Sequence, residues 1–452
     1  MSHDTTSRQE FLKRSALAGA TVAAADLLPA SRTNAATRSS APYELTYWDW
    51  WSPVGSPHYT HWFDWVKKTF EAQNPGITIK YQFLPWGDPY LQKIQAAEAA
   101  GNPPDVMHIS VAWARDLWDR KVLYDMTELV RTTPQVQPNQ FFPEAYTASS
   151  LTGHVFGVPM EGPVSYGVAM NVDLIAKKLH WPASTPQDIM AWPDRVKTWD
   201  DLTKLAVALT ERRGGKLTVA GFNYAGMDVT WLASLLRSNG GHLYTPDFSG
   251  VNINTPQAVE CMQWMLDLYY KYKVSAPLNA QRDDIMELVA NHAAMIMGYT
   301  FQPLNIHDTN PGFRLGMMPW PRGPHGTGKG SLSIYNMVSM PRRAKNVAAA
   351  WKFIKFFSAP STQLKRLEIA ELAAPLKDFF HTPQWKAAIL KVPALAAVPL
   401  CAAVSDPYPF YHSAELLDKV NPHLTDIDLR RVSLQDGLRQ AQKVADQVLS
   451  GI

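Results

Sequence analysis

Cysteine is almost missing from this chain of 452 residues: only Cys261 and Cys401 are present. Two cysteines exclude a disulfide-dense scaffold and the paired Cys/His spacings of a structural zinc site. Cys261 lies inside an apolar helical pattern, which reads as a buried thiol rather than half of a bridge. Beyond the first 40 residues no apolar run reaches the ~18 residues a membrane-spanning helix needs. Charge of one sign is lacking too. Lys and Arg number 43 against 40 Asp and Glu, without long runs, so a nucleic-acid or anionic-membrane surface is not expected. His-Glu-x-x-His and Gly-x-Ser-x-Gly are absent. Gly323–Lys329 nearly spells a phosphate-binding loop, but Gly330 stands where Ser or Thr is required and no apolar strand precedes it. No metal and no cofactor are expected.

The first 36 residues form a leader. Arg8, Lys13 and Arg14 make a basic region, Ser15–Leu28 is small and apolar, and Thr33–Ala36 offers the small residues a signal peptidase accepts. Ser7–Lys13 follows a twin-arginine pattern except for Gln9 at the second arginine, which leaves the export route open. No cysteine near the cleavage region provides a lipid attachment point. The mature chain is expected to be soluble and periplasmic. It is too long for one compact core, so two lobes are expected. Sixteen Trp, 17 Tyr and 17 Phe exceed what cores alone need and suit stacking on flat apolar faces such as sugar rings.

Periodicity gives the elements. Tyr43–Trp48 is β-prone, Trp62, Phe63, Val66 and Phe70 recur at helical spacing, and Ile77–Phe83 alternates as a strand. Asp88 caps a helix with Pro89 at its first position, and Asp105–Ile109 forms the next strand. This alternation predicts an α/β lobe with a mostly parallel sheet. Later starts are Thr198–Asp201, Thr255–Pro256, Asn346 and Ser433–Asp436. Ser331–Met340 reads as a strand.

The order of these elements resembles the extracellular solute-binding proteins of ABC sugar importers, the group that includes maltose-binding protein. The resemblance rests on Trp48–Trp50, Phe70–Ile77, Tyr90–Ile94 with Gly101–Val106, Phe156–Pro159, Met170–Leu174, Lys197–Leu202, Asn239–Gly241, Ala293–Gly298 and the helix to Phe357. It implies two α/β lobes joined by three crossings, near Phe156–Pro163, Gly330–Ile334 and Ala373–Leu376. Residues 41–155 plus 332–375 would form one lobe, and 156–331 plus 376–452 the other. The ligand would be a carbohydrate held between the lobes and delivered to an inner-membrane permease by a monomer.

Candidate site residues follow from what a sugar needs: carboxylates for vicinal hydroxyls and aromatic faces for its C–H surfaces. Asp49, Trp50 and Trp51 sit just past the first strand and offer both. Glu161 lies in the first crossing and matches an acidic ligand contact of the resembled family. Ser110 and Trp113 follow the third strand. Tyr299 and Phe301 follow Ala293–Gly298, where the family places a tryptophan that is absent here. Tyr408 and Tyr411 match a C-terminal aromatic over the ligand, and Trp231 opens a flanking helix. Trp86 and Asp88 lie near the same edge, though capping already accounts for Asp88. The matched positions hold no Arg/Lys cluster, which favours a neutral ligand. Arg282 and Arg314 are the candidates for an acidic one. Two other readings share these residues. An exported glycoside hydrolase would use carboxylates of the Asp49/Glu161 type, and a sensor subunit would share the fold but present the sugar to a receptor.

Overall fold

The computed structural model describes residues 42–278, 284–302, 306, 310–328, 330–408 and 411–451. The leader and Arg282 lie outside the described residues. Among the described residues eight strands form the main sheet: β1 (Tyr43–Asp49), β2 (Ile77–Phe83), β3 (Val106–Ile109), β4 (Val158–Asn171), β5 (Met295–Tyr299), β6 (Leu315–Pro319), β7 (Ser331–Ser339) and β8 (Ser405–Pro407). Their order is β6-β4-β7-β3-β1-β2, with β5 also on β4 and β8 also on β7.

The first three strands are a parallel unit. β1 pairs with β2 from Tyr43↔Ile77 to Asp49↔Phe83, and with β3 at Tyr47↔Val106. The helices between them bury the faces that the sequence pattern marks: Trp62, Phe63, Val66 and Phe70 from Pro57–Gln73, and Tyr90 and Ile94 from Asp88–Ala99. The latter helix has Gly87 as its N-cap residue, so Asp88 is the first helical position rather than the cap. Thr198 forms the expected capping box with Asp201, and Asn346 and Ser433 cap their helices as their sequences predict.

Two strands carry the chain from one end of the sheet to the other. β4 and β7 run antiparallel from Val158↔Val338 to Ser165↔Ser333. Beyond that, β4 exchanges hydrogen bonds with β5 and β6 instead, through residues 166–171. Bulges between Ile334 and Met337 bend β7 opposite Glu161 and Gly162. Gly162 has φ +118°, and a Cβ there would stand 2.7 Å from the Ile334 carbonyl oxygen, so only glycine allows the two strands this approach.

The segment after Leu376 stays packed in the core of the first strands. Phe379, Trp385 and Val392 pack with Phe353, Phe357 and Leu367 in the core beneath β1. Residues 394–398 then face two ways: Leu395 and Val398 still belong to that core, while Ala394 and Ala397 join the cluster around Ala169, Ile296 and Met317. The helix Pro383–Lys391 lies on Pro360–Ala370, and its large apolar Trp385 holds it there. Cys261 and Cys401 are both free and buried, and burial pushes the Cys401 thiol up to about 12.

Candidate functional site

The end of β1 turns sharply because Asp49 folds back on its own loop. Its Oδ1 accepts the Trp51 backbone N–H at 2.9 Å and its Oδ2 accepts the Tyr47 hydroxyl at 2.6 Å. His108, from β3, meets the same Oδ1 through Nδ1 at 2.9 Å. The other imidazole nitrogen approaches Glu161 Oε2 at 3.5 Å. Glu161 also accepts from the Trp51 indole Nε1 at 3.0 Å and from Asn336 Nδ2 at 2.7 Å, and pairs with the Arg366 guanidinium at 3.3 Å. Asp49, His108, Glu161 and Arg366 are each 2 % exposed or less.

Electrostatics follow from this closed arrangement. Burial alone would raise the Glu161 carboxyl, but His108, Arg366 and Asn336 overcome it and hold the group at about 2. Burial would likewise depress His108, and the Asp49 and Glu161 carboxylates overcome that and raise it above its ordinary 6.5. Both Glu161 oxygens are engaged within the protein. A hydrolytic pair needs one carboxyl kept protonated near neutral pH. The neighbours of Glu161 instead favour its charged form.

The aromatic candidates fall into two groups. Trp50 lies flat on the His108 ring, with centroids 3.4 Å apart, and meets Trp113 and Tyr90 edge-on. Trp113 continues this group to Trp86, whose side is 58 % exposed. The second group spans both ends of the sheet. Trp51, stacked on Tyr59, meets Phe301 at 5.9 Å; Phe301 stacks on Tyr299, and Tyr299 meets Trp231 and Tyr166 at 4.9 Å. Tyr408 stacks on Tyr166. Trp51, Tyr299 and Phe301 remain half-buried, whereas Trp50, Trp113, Trp231 and Tyr408 are buried.

Two expected site residues have other surroundings. Ser110 is buried as the N-cap of the helix Val111–Asp119, its hydroxyl accepting from Ala112 N at 3.2 Å. Tyr411 stands apart, covering the Arg115 guanidinium at 4.2 Å with Phe248 on the same cation at 4.7 Å. Arg314 pairs with Asp173 at 3.0 Å, away from these groups. Between the crossings a crevice of about 10 Å³, room for one water, is lined by Glu161, Pro163, Thr300, Phe301 and Leu372. Sequence reasoning missed His108, Tyr166, Asn336 and Arg366. For His108 a signal existed: a polar ring in an otherwise apolar strand, one strand away from Asp49. Among the described residues no cluster of His, Cys, Asp or Glu has metal-binding geometry, and no helix is long and apolar enough to cross a membrane.

A profile of bacterial extracellular solute-binding proteins matches residues 62–364. The chain belongs to this family. A binding protein of Brucella abortus is 25% identical over 307 residues, which cover 65% of this chain and 68% of that one. The fold is that of an ABC substrate-binding protein of Listeria monocytogenes solved in complex with cycloalternan (TM-score 0.73, 18% identity, 90% of this chain and 99% of that one). The GacH receptor of Streptomyces glaucescens, solved unliganded and with acarbose, gives the same TM-score of 0.73 at 18% identity, over 91% and 99% of the two chains. A maltose-bound protein of T. maritima matches with a TM-score of 0.70 at 19% identity, over 91% and 100%. The family fits the long strands that run from one end of the sheet to the other.

Proposed function

We propose that this protein captures a carbohydrate between two hinged lobes and delivers it, chemically unchanged, to the permease of an ABC importer. The observation that carries this reading is the half-buried aromatic chain Trp51–Phe301–Tyr299, backed by the buried Trp231, where rings from the two ends of the sheet meet. Rings that contact each other across a hinge are placed to contact the faces of a sugar between them when the hinge opens. Structural neighbours solved with cycloalternan, acarbose and maltose support the same ligand class. The lobes in this reading are 41–155 with 332–393, and 156–331 with 394–452. The third boundary is moved to respect the packing of Trp385. The leader directs a monomer to the periplasm.

Thermal-shift screening of the mature protein against neutral mono- and oligosaccharides tests this directly. A bound sugar at ~100 times its dissociation constant adds about 2.7 kcal/mol to stability. The melting temperature should rise with that sugar, and the recovered sugar should be intact. Trp51→Ala should weaken its binding roughly tenfold, the scale of one lost ring contact with its anchoring. Cleavage of the bound sugar, or no response across the panel, would overturn the reading.

A further inference from the structure

The His108 ring lies between the two carboxylates of the buried cluster. Its Nδ1 is 2.9 Å from Asp49 Oδ1 and its Nε2 3.5 Å from Glu161 Oε2. Those two carboxylates hold Trp51 at its two ends, one through the backbone N–H and one through the indole N–H. The His108 ring also lies under Trp50. A single buried imidazole therefore underlies both tryptophans of the loop. The charges close only in one state. Asp49 and Glu161 are balanced by Arg366 and a protonated His108. A neutral imidazole donates to one carboxylate at most and leaves one negative charge uncompensated where water is excluded. The other titratable groups packed here do not supply the missing proton. Tyr47 already donates to Asp49, and Tyr90 donates to the Trp48 carbonyl oxygen, both phenols being pushed well above 10 by burial.

We propose that His108 is a positioning residue for ligand capture: its imidazolium ties the Asp49 loop to the crossing strand at Glu161, and Trp50 and Trp51 keep their binding placement only while that proton is held. The inference rests on the carbohydrate-binding reading for its purpose, but the tie itself exists without ligand. Loss of the proton releases Asp49 from Glu161, and the indole of Trp51 follows. Affinity is then flat at mildly acidic pH and falls as pH rises through the His108 titration.

The test uses the ligand-free mature protein. Nitrogen-15 NMR follows the His108 ring and the Trp51 indole N–H across neutral and basic pH. Both signals should move together, with a midpoint above 6.5, the ordinary imidazole value, and Asp49→Asn should lower that midpoint. In His108→Gln the Trp51 signal should lose its pH dependence. Should that variant not fold, the wild-type titration decides alone. With maltotriose as probe in calorimetry, His108→Gln should weaken binding roughly tenfold, the scale of one charged hydrogen bond. A Trp51 signal that ignores the His108 titration, or that keeps its wild-type profile in His108→Gln, overturns the proposal. Failure of maltotriose and the whole saccharide panel to bind, with the two signals moving together, overturns the carbohydrate reading and leaves the tie standing.

Discussion

Two charged regions link distant parts of this chain, and they are built in opposite ways. At the crossing, Glu161 meets Arg366, His108 and Asn336 with water excluded. At the outer rim, the helix Val111–Asp119 meets the start of the helix Ser413–Asp428, and the charged groups there reach solvent. Arg120 pairs with Glu415 at 3.3 Å with both side chains about half exposed, and Arg115 lies between Phe248 and Tyr411. The Asp116 carboxylate accepts the His412 backbone N–H at 3.4 Å. Buried ions are costly to separate, whereas solvated ones exchange partners with water and salt at little cost. For the hinged molecule proposed above, the crossing strands would be the fixed part and the ion pairs of the rim the part that yields.

Breaking the crossing should have the largest effect. Arg366→Met leaves Glu161 buried without its permanently charged partner. Urea denaturation should show a loss of about 3–5 kcal/mol. A loss below about 1 kcal/mol would mean that the cluster contributes as little as a surface pair.

The pH profile of stability comes next, and its two sides have different owners. Glu161 is lowered from 4.5 to about 2 on folding, so its contribution is present above about pH 4.5 and fades as pH falls toward 2. His108 is raised above 6.5, so its contribution is present below 6.5 and fades as pH rises through the folded value. Melting temperature should therefore peak between about pH 4.5 and 6.5. Glu161→Gln should flatten the acidic side, and His108→Gln the basic side. A wild-type curve that keeps rising through pH 8 would contradict these assignments.

The rim should respond least. Arg115→Ala removes a cation from two rings and should cost about 0.5–1 kcal/mol. Arg120→Ala should cost roughly 0.2–1 kcal/mol, and only at low salt. Denaturation at low and high ionic strength separates these variants from Arg366→Met, whose loss should barely change with salt.

How far the sequence revealed this arrangement depends on the range of each interaction. Local signals carried well. Thr198, Asn346 and Ser433 cap where their spacing says, and Ile77–Phe83 alternates because one face is buried. The 14-residue strand β4 was legible only as a crossing segment, because Gly162 and Pro163 interrupt its pattern and both of its faces are covered. The place of Trp51 in the loop after β1 was legible from the strand pattern before it. The engagement of Glu161 was not, since Arg366 lies 205 residues away and Asn336 reaches it through a bulge. Aromatic abundance was an ambiguous guide. Trp62, Trp192 and Trp385 are fully buried and fill cores, whereas Trp51, Tyr299 and Phe301 keep an accessible face.

The hinge itself can be measured in solution. Small-angle X-ray scattering of the mature protein, with and without the saccharide that gives the largest thermal shift, reads the distance between the lobes. The account predicts a radius of gyration that falls on binding. It also predicts that Arg115→Ala enlarges the ligand-free form while leaving the bound form unchanged. A saccharide that binds tightly while the radius stays constant would contradict closure of two lobes around the ligand.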